Sequence, residues 1–314
     1  MVRSQRELAR TAGLGRRGNR GHRETAIGIV LLICASISIL TTFAVILVLA
    51  RETFGFFADP AVTVWEFLTA REWTPLFAES QRRFGISPLL LGTMLVTTIA
   101  LVVGLPMGLG AAIFLSEFSS ARVRRTAMPV LEVFAGIPTV VLGYFALLFV
   151  TPILQEIVPG LKFFNPLSAG LVMAFMILPT VSSISIDSMQ AVPRALREAA
   201  YGLGATKFEV VTKVVVPAAL SGIVASFILA MSRAIGETMI VTLAAGQRPT
   251  FTFDPRETIA TMTSFIVQAA TGDQPAGSLA SRSLFAVGAT LFAMTLALNI
   301  ISQQVVRRFG ERYE

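Results

Sequence analysis

Charged residues, histidine and cysteine are all scarce in this sequence. Asp, Glu, Lys and Arg make up only 14% of its 314 residues, whereas roughly 25% is usual for a soluble domain. One histidine, His22, and one cysteine, Cys34, exclude an internal disulfide and a zinc site built from several His and Cys residues. The sequence contains no G-x-x-x-x-G-K-[ST] motif, so it has no P-loop of its own for ATP. A catalytic site is therefore not expected.

Apolar residues dominate instead. They make up 54% of the chain, and the mean hydropathy is +0.71. Because about 20 apolar residues suffice to cross a bilayer, the sequence predicts an all-α, multi-pass membrane protein with six transmembrane helices. The predicted spans are residues 26–50, 88–115, 130–153, 167–186, 218–245 and 284–306.

The polar segments divide the chain into four regions. The Gly- and Arg-rich first region is expected to be disordered, and Trp65 and Trp73 in the second suit a membrane–water interface. The regions are a basic tail at 1–25, a first transmembrane helix with its outer loop at 26–87, a five-helix core at 88–306, and a short tail at 307–314.

Basic residues predict the orientation. In a six-span topology, four basic segments fall on one side of the membrane: both tails, the loop at Arg122–Arg125 and the polar segment at 188–217. The loops on the opposite side balance Arg with Asp and Glu. Since cytoplasmic loops carry the excess of Lys and Arg, we predict that both termini are cytoplasmic. The net charge of +7 is concentrated in particular loops and is not by itself a signal for nucleic acid. Membrane lipid is therefore an expected partner, and nucleic acid is not.

The polar segment at 188–217, here called the elbow, lies between the fourth and fifth spans. Proline suits the first turn of a helix, glycine commonly ends one, and Thr followed three residues later by Glu is a capping-box pattern. The elbow therefore predicts two short helices joined by a turn. The signals are Pro193, a helix over Arg194–Leu203 with Ala195, Ala199 and Ala200 on one side, Gly202 and Gly204, and Thr206 with Glu209 before a helix from Lys207 to about Val215.

Arg233 and Glu237 form a charge pair inside the fifth predicted span. Four residues apart on a helix, they are expected to lie on one face. An ionised Arg at the bilayer centre costs about 2.5–3.5 kcal/mol. One interpretation is a step in an anion pathway, because the planar guanidinium matches tetrahedral oxyanions. Glu237 then screens Arg233 when the pathway is empty, and it can accept a proton from hydrogen phosphate. The other interpretation is an ion pair that only joins helices.

Two other acidic residues stand at predicted span ends. Glu132 is expected to be interfacial and neutralised by Arg124 and Arg125, with a pathway role as the alternative. Asp187 ends the fourth span and is expected to be solvated.

The elbow resembles the EAA loop of ABC-importer permeases. It has Glu198-Ala199-Ala200, Gly204 and Pro217 at the spacing of that loop, with Val214 and Val216 where the pattern has Ile and Leu. In that family the loop docks into a groove of a cytoplasmic ATPase. The resemblance implies that Arg197, Glu198, Ala199, Ala200 and Gly204 couple this chain to a separate ATPase.

Further segments resemble the PstC-type permeases of phosphate-specific ABC importers, from about residue 26 to the end. The EAA loop is common to ABC importers, whereas E-F-L…E-W-T-P at Glu66–Pro75 and R-A-x-G-E-T at Arg233–Thr238 point to phosphate. The other matching stretches are Phe84–Thr93, Leu105–Glu117, Ala135–Gly143 and Met176–Pro179.

This resemblance implies a MetI-like, type I importer permease in the bacterial inner membrane that imports inorganic phosphate. It implies a related PstA-type permease as the other half of the pathway. It also implies a PstB-type ATPase dimer, which holds ATP and Mg, and a PstS-type phosphate-binding protein. The family's charged residues in the fifth span correspond to Arg233 and Glu237, with Thr238 beside them in the pathway.

Two alternatives stay open at this point. The same architecture could import another oxyanion, such as phosphonate, sulfate or molybdate. An ATP-independent secondary transporter is the alternative from another class, and it requires inverted repeats and no site for an ATPase.

Overall fold

The computed structural model describes residues 17–275 and 277–309, and their regular structure is helical apart from one isolated antiparallel bridge between Trp73 and Phe84. The chain divides into two units, one ending at Glu52 and the other beginning at Thr53. The first unit is occupied by most of helix α1, Arg17–Phe57. The second unit contains the remaining helices and the sites described below.

The described part of the second unit contains thirteen α-helices, and π-helical turns extend three of them. They are α2 (Val64–Thr69), α3 (Ser87–Ile113, continued by Phe114–Phe118), α4 (Ala121–Ala135), α5 (Thr139–Phe145, continued by Ala146–Val150), α6 (Thr151–Ile157), α7 (Pro166–Gln190), α8 (Arg194–Gly202), α9 (Lys207–Val210, continued by Val211–Val215), α10 (Val216–Ala218), α11 (Leu220–Ile235), α12 (Met239–Ala244), α13 (Met262–Thr271) and α14 (Leu279–Phe309).

Within the described residues, five helical segments are long and apolar enough to cross a membrane, and a sixth is obtained if a bent pair counts as one span. The prediction of an all-α, multi-pass protein is confirmed. The five segments are Glu24–Phe57, Ser87–Phe118, Thr139–Ile157, Pro166–Gln190 and Leu279–Gln304, and the bent pair is Lys207–Ala218 with Leu220–Ile235.

Two predicted spans have the wrong bounds. The third was expected at 130–153, but Gly136 and Pro138 end α4, and the apolar helix begins only at Thr139. The fifth was expected as one helix at 218–245. It bends by 68° where α10 meets α11 and stops again at Gly236.

The tail expected to be disordered through residue 25 is helical from Arg17 onward. Residues 1–16 and 310–314 lie outside the described residues.

Helices α3 and α7 pack closely through glycine. A Cβ added at Gly108 would lie 2.7 Å from Val181 Cβ, and the backbone oxygen of Gly108 accepts a hydrogen bond from Ser182 Oγ at 3.0 Å. Both helices continue through their internal prolines, Pro106 and Pro179. Small residues here serve helix contact, as in many membrane bundles, and α3 runs without a break through Gly104–Pro106.

Trp73 is buried inside the protein. Its side chain is 1% exposed and packs edge-to-face against Phe67, Phe84 and Phe265, with ring centroids 5.1–6.4 Å apart. Trp65, by contrast, is 74% exposed. Contacts with α13, distant in sequence, therefore bury Trp73, so it does not present an exposed ring to the membrane–water interface.

Candidate functional site

The elbow folds as its sequence predicts. Helix α8 begins after Pro193 and ends at Gly202, and Gly204 follows with φ +84°, in the left-handed region that favours glycine. Thr206 and Glu209 form a capping box: each side chain accepts a hydrogen bond from the backbone N–H of the other. Local signals within four residues therefore determine the shape of this turn.

Arg197 attaches the elbow to α3. Its Nη1 donates to the Glu117 carboxylate at 2.8 Å, and its Nη2 donates to the Met189 carbonyl at 2.6 Å. The Glu117 carboxylate also accepts from Ser116 Oγ at 2.9 Å. The two charged side chains are 21% and 8% exposed. Arg197 thus points into the protein, whereas Glu198 and Ala199 beside it are exposed.

The outer surface of the elbow is apolar for its position. Leu203 is 90% exposed, Phe208 67% and Tyr201 47%. Ala195 and Ala199 are also exposed, whereas Ala200 is partly buried against the cluster that includes Ile186 and Met189. Large exposed apolar side chains rimmed by charged ones mark interaction sites, and this surface is suited to another protein.

A cavity of about 430 Å³ lies between the elbow and the end of α3. A second basic residue, Arg124, closes one of its sides by donating from Nε to the Leu115 carbonyl at 2.7 Å and from Nη2 to the Ser116 carbonyl. Because Arg124 is engaged there, it does not neutralise Glu132. No ion pair to Glu132 is found in the described ranges, and Glu132 lies on exposed α4 outside the third span.

The structure corrects the geometry expected for Arg233 and Glu237. Arg233 lies in the last turn of α11, and Gly236 ends that helix before Glu237. The two residues therefore do not share the face of one continuous helix. The ion pairs found among the described residues do not join them. Gly236 was part of the R-A-x-G-E-T segment, and its helix-ending role was missed.

Glu237 instead holds the break between α11 and α12. Its Oε1 accepts hydrogen bonds from the backbone N–H groups of Met239 and Ile240, at 3.0 and 3.2 Å. Its carbonyl accepts from Thr263 Oγ1 at 2.7 Å. The side chain is a helix N-terminal cap, and Thr238 adjoins it with its hydroxyl donating to the Gly236 carbonyl at 3.3 Å.

Arg233 is exposed, and its Nη1 lies 3.4 Å from Thr180 Oγ1 of α7. A guanidinium has five donors, and this hydroxyl is the partner found for it in the part of the chain that the structure describes. Arg233 therefore has donors available on the exposed side of α7 and α11.

The segment between α12 and α13, at the end opposite the elbow, contains ion pairs. Arg256 donates to the Asp254 carboxylate at 2.7 Å from Nη2, and Lys162 pairs with Glu257. Hydrogen bonds from the Arg256 guanidinium lower the pKa of Asp254 to about 2. Among residues 17–275 and 277–309, no group of three His, Cys, Asp or Glu side chains could hold a metal ion.

Comparison with known families gives a match over residues 104–314 to the model described as "Binding-protein-dependent transport system inner membrane component". The probable ABC transporter permease protein YqgH of Bacillus subtilis is 30% identical over 292 residues, which cover 93% of this chain and 94% of YqgH. The phosphate transport system permease protein PstC of Mesorhizobium japonicum is 34% identical over 286 residues, covering 84% and 82% of the two chains.

Solved structures of ABC transporters share the fold. A bacterial alginate ABC transporter, in complex with its pentasaccharide-bound periplasmic protein, aligns with TM-score 0.66 at 16% identity, covering 94% of this chain and 99% of that one. The inward-facing MetNI methionine ABC transporter aligns with TM-score 0.55 at 18% identity, covering 72% and 95%. At these identities the likeness concerns the fold alone.

Proposed function

This chain belongs to the family of binding-protein-dependent transport system inner membrane components, and from that premise we propose that it is the PstC-type permease of an inorganic phosphate importer. As an ABC permease it is a non-catalytic, multi-pass subunit of the inner membrane. Its family implies a partner ATPase and a binding protein. The identity of 34% to a PstC over most of both chains is the observation that carries the choice of phosphate.

We assign the remaining partners on the same ground. A PstA-type permease completes the pathway, a PstB-type ATPase dimer holds ATP and Mg, and a PstS-type protein delivers phosphate. Both termini and the elbow lie in the cytoplasm in this proposal, since the Lys and Arg residues favour that side.

The chemistry of Arg233 supports an oxyanion as substrate. An exposed guanidinium with unused donors in a chain that crosses a membrane is costly unless it faces water or a ligand, and its planar fork suits phosphate oxygens. Glu237 and Thr238 act beside it in the proposed pathway. Glu237 contributes by capping the start of α12, which fixes the break between α11 and α12. It does not screen the charge of Arg233.

The shape of the elbow supports its role in coupling. Glu198 and Ala199 face outward next to exposed Leu203 and Tyr201, and Gly204 sets the turn between the two elbow helices. Ala200 and Arg197 face inward. In the proposed coupling they transmit motion from the docked ATPase to α3 and α7 rather than contacting the ATPase.

Uptake of radiolabelled phosphate by a strain that lacks its own phosphate importer tests the proposal, with the partner subunits expressed together. We expect uptake with the unaltered chain, loss with Arg233→Ala, and partial retention with Arg233→Lys, which keeps the charge without the fork. An excess of phosphonate, sulfate or molybdate should not reduce the uptake of labelled phosphate.

Uptake of one of those anions, with no uptake of phosphate, would assign the chain to another oxyanion importer. Phosphate uptake that continues without the ATPase, or with an ATPase variant that cannot hydrolyse ATP, would instead indicate a secondary transporter. Recovery of all variants in the membrane fraction is the control for assembly.

A further inference from the structure

One face of α7 is polar in a place where a membrane-spanning helix would ordinarily be apolar. Ser183, Asp187 and Gln190 follow Thr180 at intervals of three, seven and ten residues, which is the spacing of one helical face. Thr180 and Ser183 are partly exposed, and Asp187 and Gln190 are exposed. The residues between them that face the core, such as Ser182 and Met189, are buried.

The polar face of α7 begins at Thr180, and the same face is buried before that residue. Met176 lies on the same face one turn before Thr180, and it is only 4% exposed within the core cluster that includes Ala230 and Ala234. From Thr180 to Gln190 the face extends about 15 Å along the helix axis at 1.5 Å per residue. It is therefore closed by packing toward one end and uncovered toward the elbow.

The two ends of this face meet the two sites already described. Arg233 Nη1 lies 3.4 Å from Thr180 Oγ1, and Gln190 lines the cavity beside Glu117 and Arg197 at the elbow. The polar face thus connects the guanidinium to the elbow end of α7.

The side chains along this face need water or a ligand. Within the described ranges no hydrogen-bonding partner is found for the side chains of Ser183, Asp187 or Gln190. A carboxylate in a membrane-spanning helix faces a water-filled cavity or a partner, because exposure to lipid is costly. Asp187 lies in the last turn of α7 and places water at that end of the face, whereas Thr180, beside Arg233 Nη1, extends the polar face deeper along the helix.

We propose that Thr180, Ser183, Asp187 and Gln190 line a water-filled track along which the transported anion passes between Arg233 and the elbow end. This inference rests on the proposed function, since the anion is taken to be phosphate. The hydroxyls of Thr180 and Ser183 and the amide of Gln190 supply donors to an oxyanion. Asp187 supplies none. It keeps the track hydrated and disfavours a long stay of the anion at that end.

Cysteine accessibility in the assembled transporter tests the track. Single cysteines replace Thr180, Ser183, Asp187 or Gln190 in a Cys34→Ser background, which removes the one native thiol. Inside-out membrane vesicles are treated with the anionic, membrane-impermeant reagent 2-sulfonatoethyl methanethiosulfonate. Phe175→Cys, at a 52% exposed apolar position on the same helix, is the matched control.

We expect the cysteines at 183, 187 and 190 to react more than about tenfold faster than Phe175→Cys, because the reactive thiolate forms in water and not in apolar surroundings. Inorganic phosphate should slow the reaction of Thr180→Cys, which lies beside Arg233. If the cysteines at 183 and 187 react no faster than Phe175→Cys, the proposal of a water-filled track is wrong. This holds whether lipid or a partner subunit covers them.

The anion used for protection separates the two proposals. If sulfate, molybdate or a phosphonate protects Thr180→Cys and phosphate does not, the assignment of phosphate fails while the track stands. If rapid labelling is unaffected by every anion, the face is hydrated but is not an anion pathway, and the inference fails.

Discussion

The Arg197 guanidinium donates to the Glu117 carboxylate over 2.8 Å, although 80 residues of chain separate the two. The contact joins the first helix of the elbow to the end of α3, and the Met189 carbonyl joins the same guanidinium to the end of α7. In the coupling that we propose, this one side chain passes movement of the elbow to two membrane-spanning helices.

Replacing Arg197 by alanine should therefore both destabilise and uncouple the transporter. The nearly buried Glu117 carboxylate would lose its cation, and breaking a buried pair costs on the order of 3 kcal/mol. We expect a lower thermal midpoint of the purified complex and ATP hydrolysis that no longer responds to the binding protein. Arg197→Ala with Glu117→Gln should recover part of the stability and little of the coupling. A single variant as stable and as coupled as the unaltered protein would contradict this role.

Gly204 and Gly202 offer a matched pair in the elbow. A Cβ meets nothing within 4 Å at either position, but only Gly204 has a positive φ. Gly204→Ala should cost about 1 kcal/mol through backbone strain and reduce phosphate uptake several-fold, whereas Gly202→Ala should be neutral because it favours the helix. The measurement for each variant is the rate of phosphate uptake divided by the amount of complex in the membrane. Equal behaviour of the two variants would show that the left-handed turn is not needed for coupling.

Arg233 and Glu237 should behave as independent residues. Glu237→Ala removes the acceptor for two backbone N–H groups and should lower stability by about 1 kcal/mol, while Glu237→Gln keeps an acceptor oxygen and should lower it less. A double-mutant cycle on thermal stability, with Arg233→Ala as the other change, should give a coupling energy below about 0.5 kcal/mol. A larger value would restore the ion pair that the sequence predicts.

Gly108 and Gly110 test the close packing of α3 on α7. An alanine at Gly108 would place Cβ 2.7 Å from Val181 Cβ, an atom fixed to the helix backbone, whereas Gly110 has open space. Overpacking of this kind costs about 1–3 kcal/mol. We expect Gly108→Ala to lower the thermal midpoint and Gly110→Ala to leave it unchanged. If both variants are equally stable, the two helices separate more easily than their packing implies.

The Asp254–Arg256 pair should not contribute to the pH dependence of transport near neutrality. Its folded-state pKa of about 2 lies below the ordinary value of 3.8. The stabilisation is therefore present above pH 3.8 and is lost only as the pH falls through about 2. The uptake profile of Asp254→Asn between about pH 5 and pH 8 should have the shape of the unaltered profile. A profile that shifts within this range would mean that Asp254 titrates there.

The elbow shows how far local sequence signals reach. Its helix ends, the glycine turn and the capping box depend on residues at most four positions apart, so the sequence predicts them. The membrane-spanning class follows in the same way from apolar runs of sufficient length. The bounds of the third and fifth spans were wrong because the breaks at Gly136–Pro138 and Gly236 interrupt apolar stretches that look continuous by composition.

The sequence by itself determined that this chain is a helical membrane protein with a glycine-hinged elbow, because hydropathy and capping act over one helix or less. Only the tertiary structure decided the partners of Arg197, the burial of Trp73 and the contact between Thr263 and the Glu237 carbonyl. Each of these depends on which distant helices meet, and the free energy of those contacts cannot be assigned to a single segment of chain.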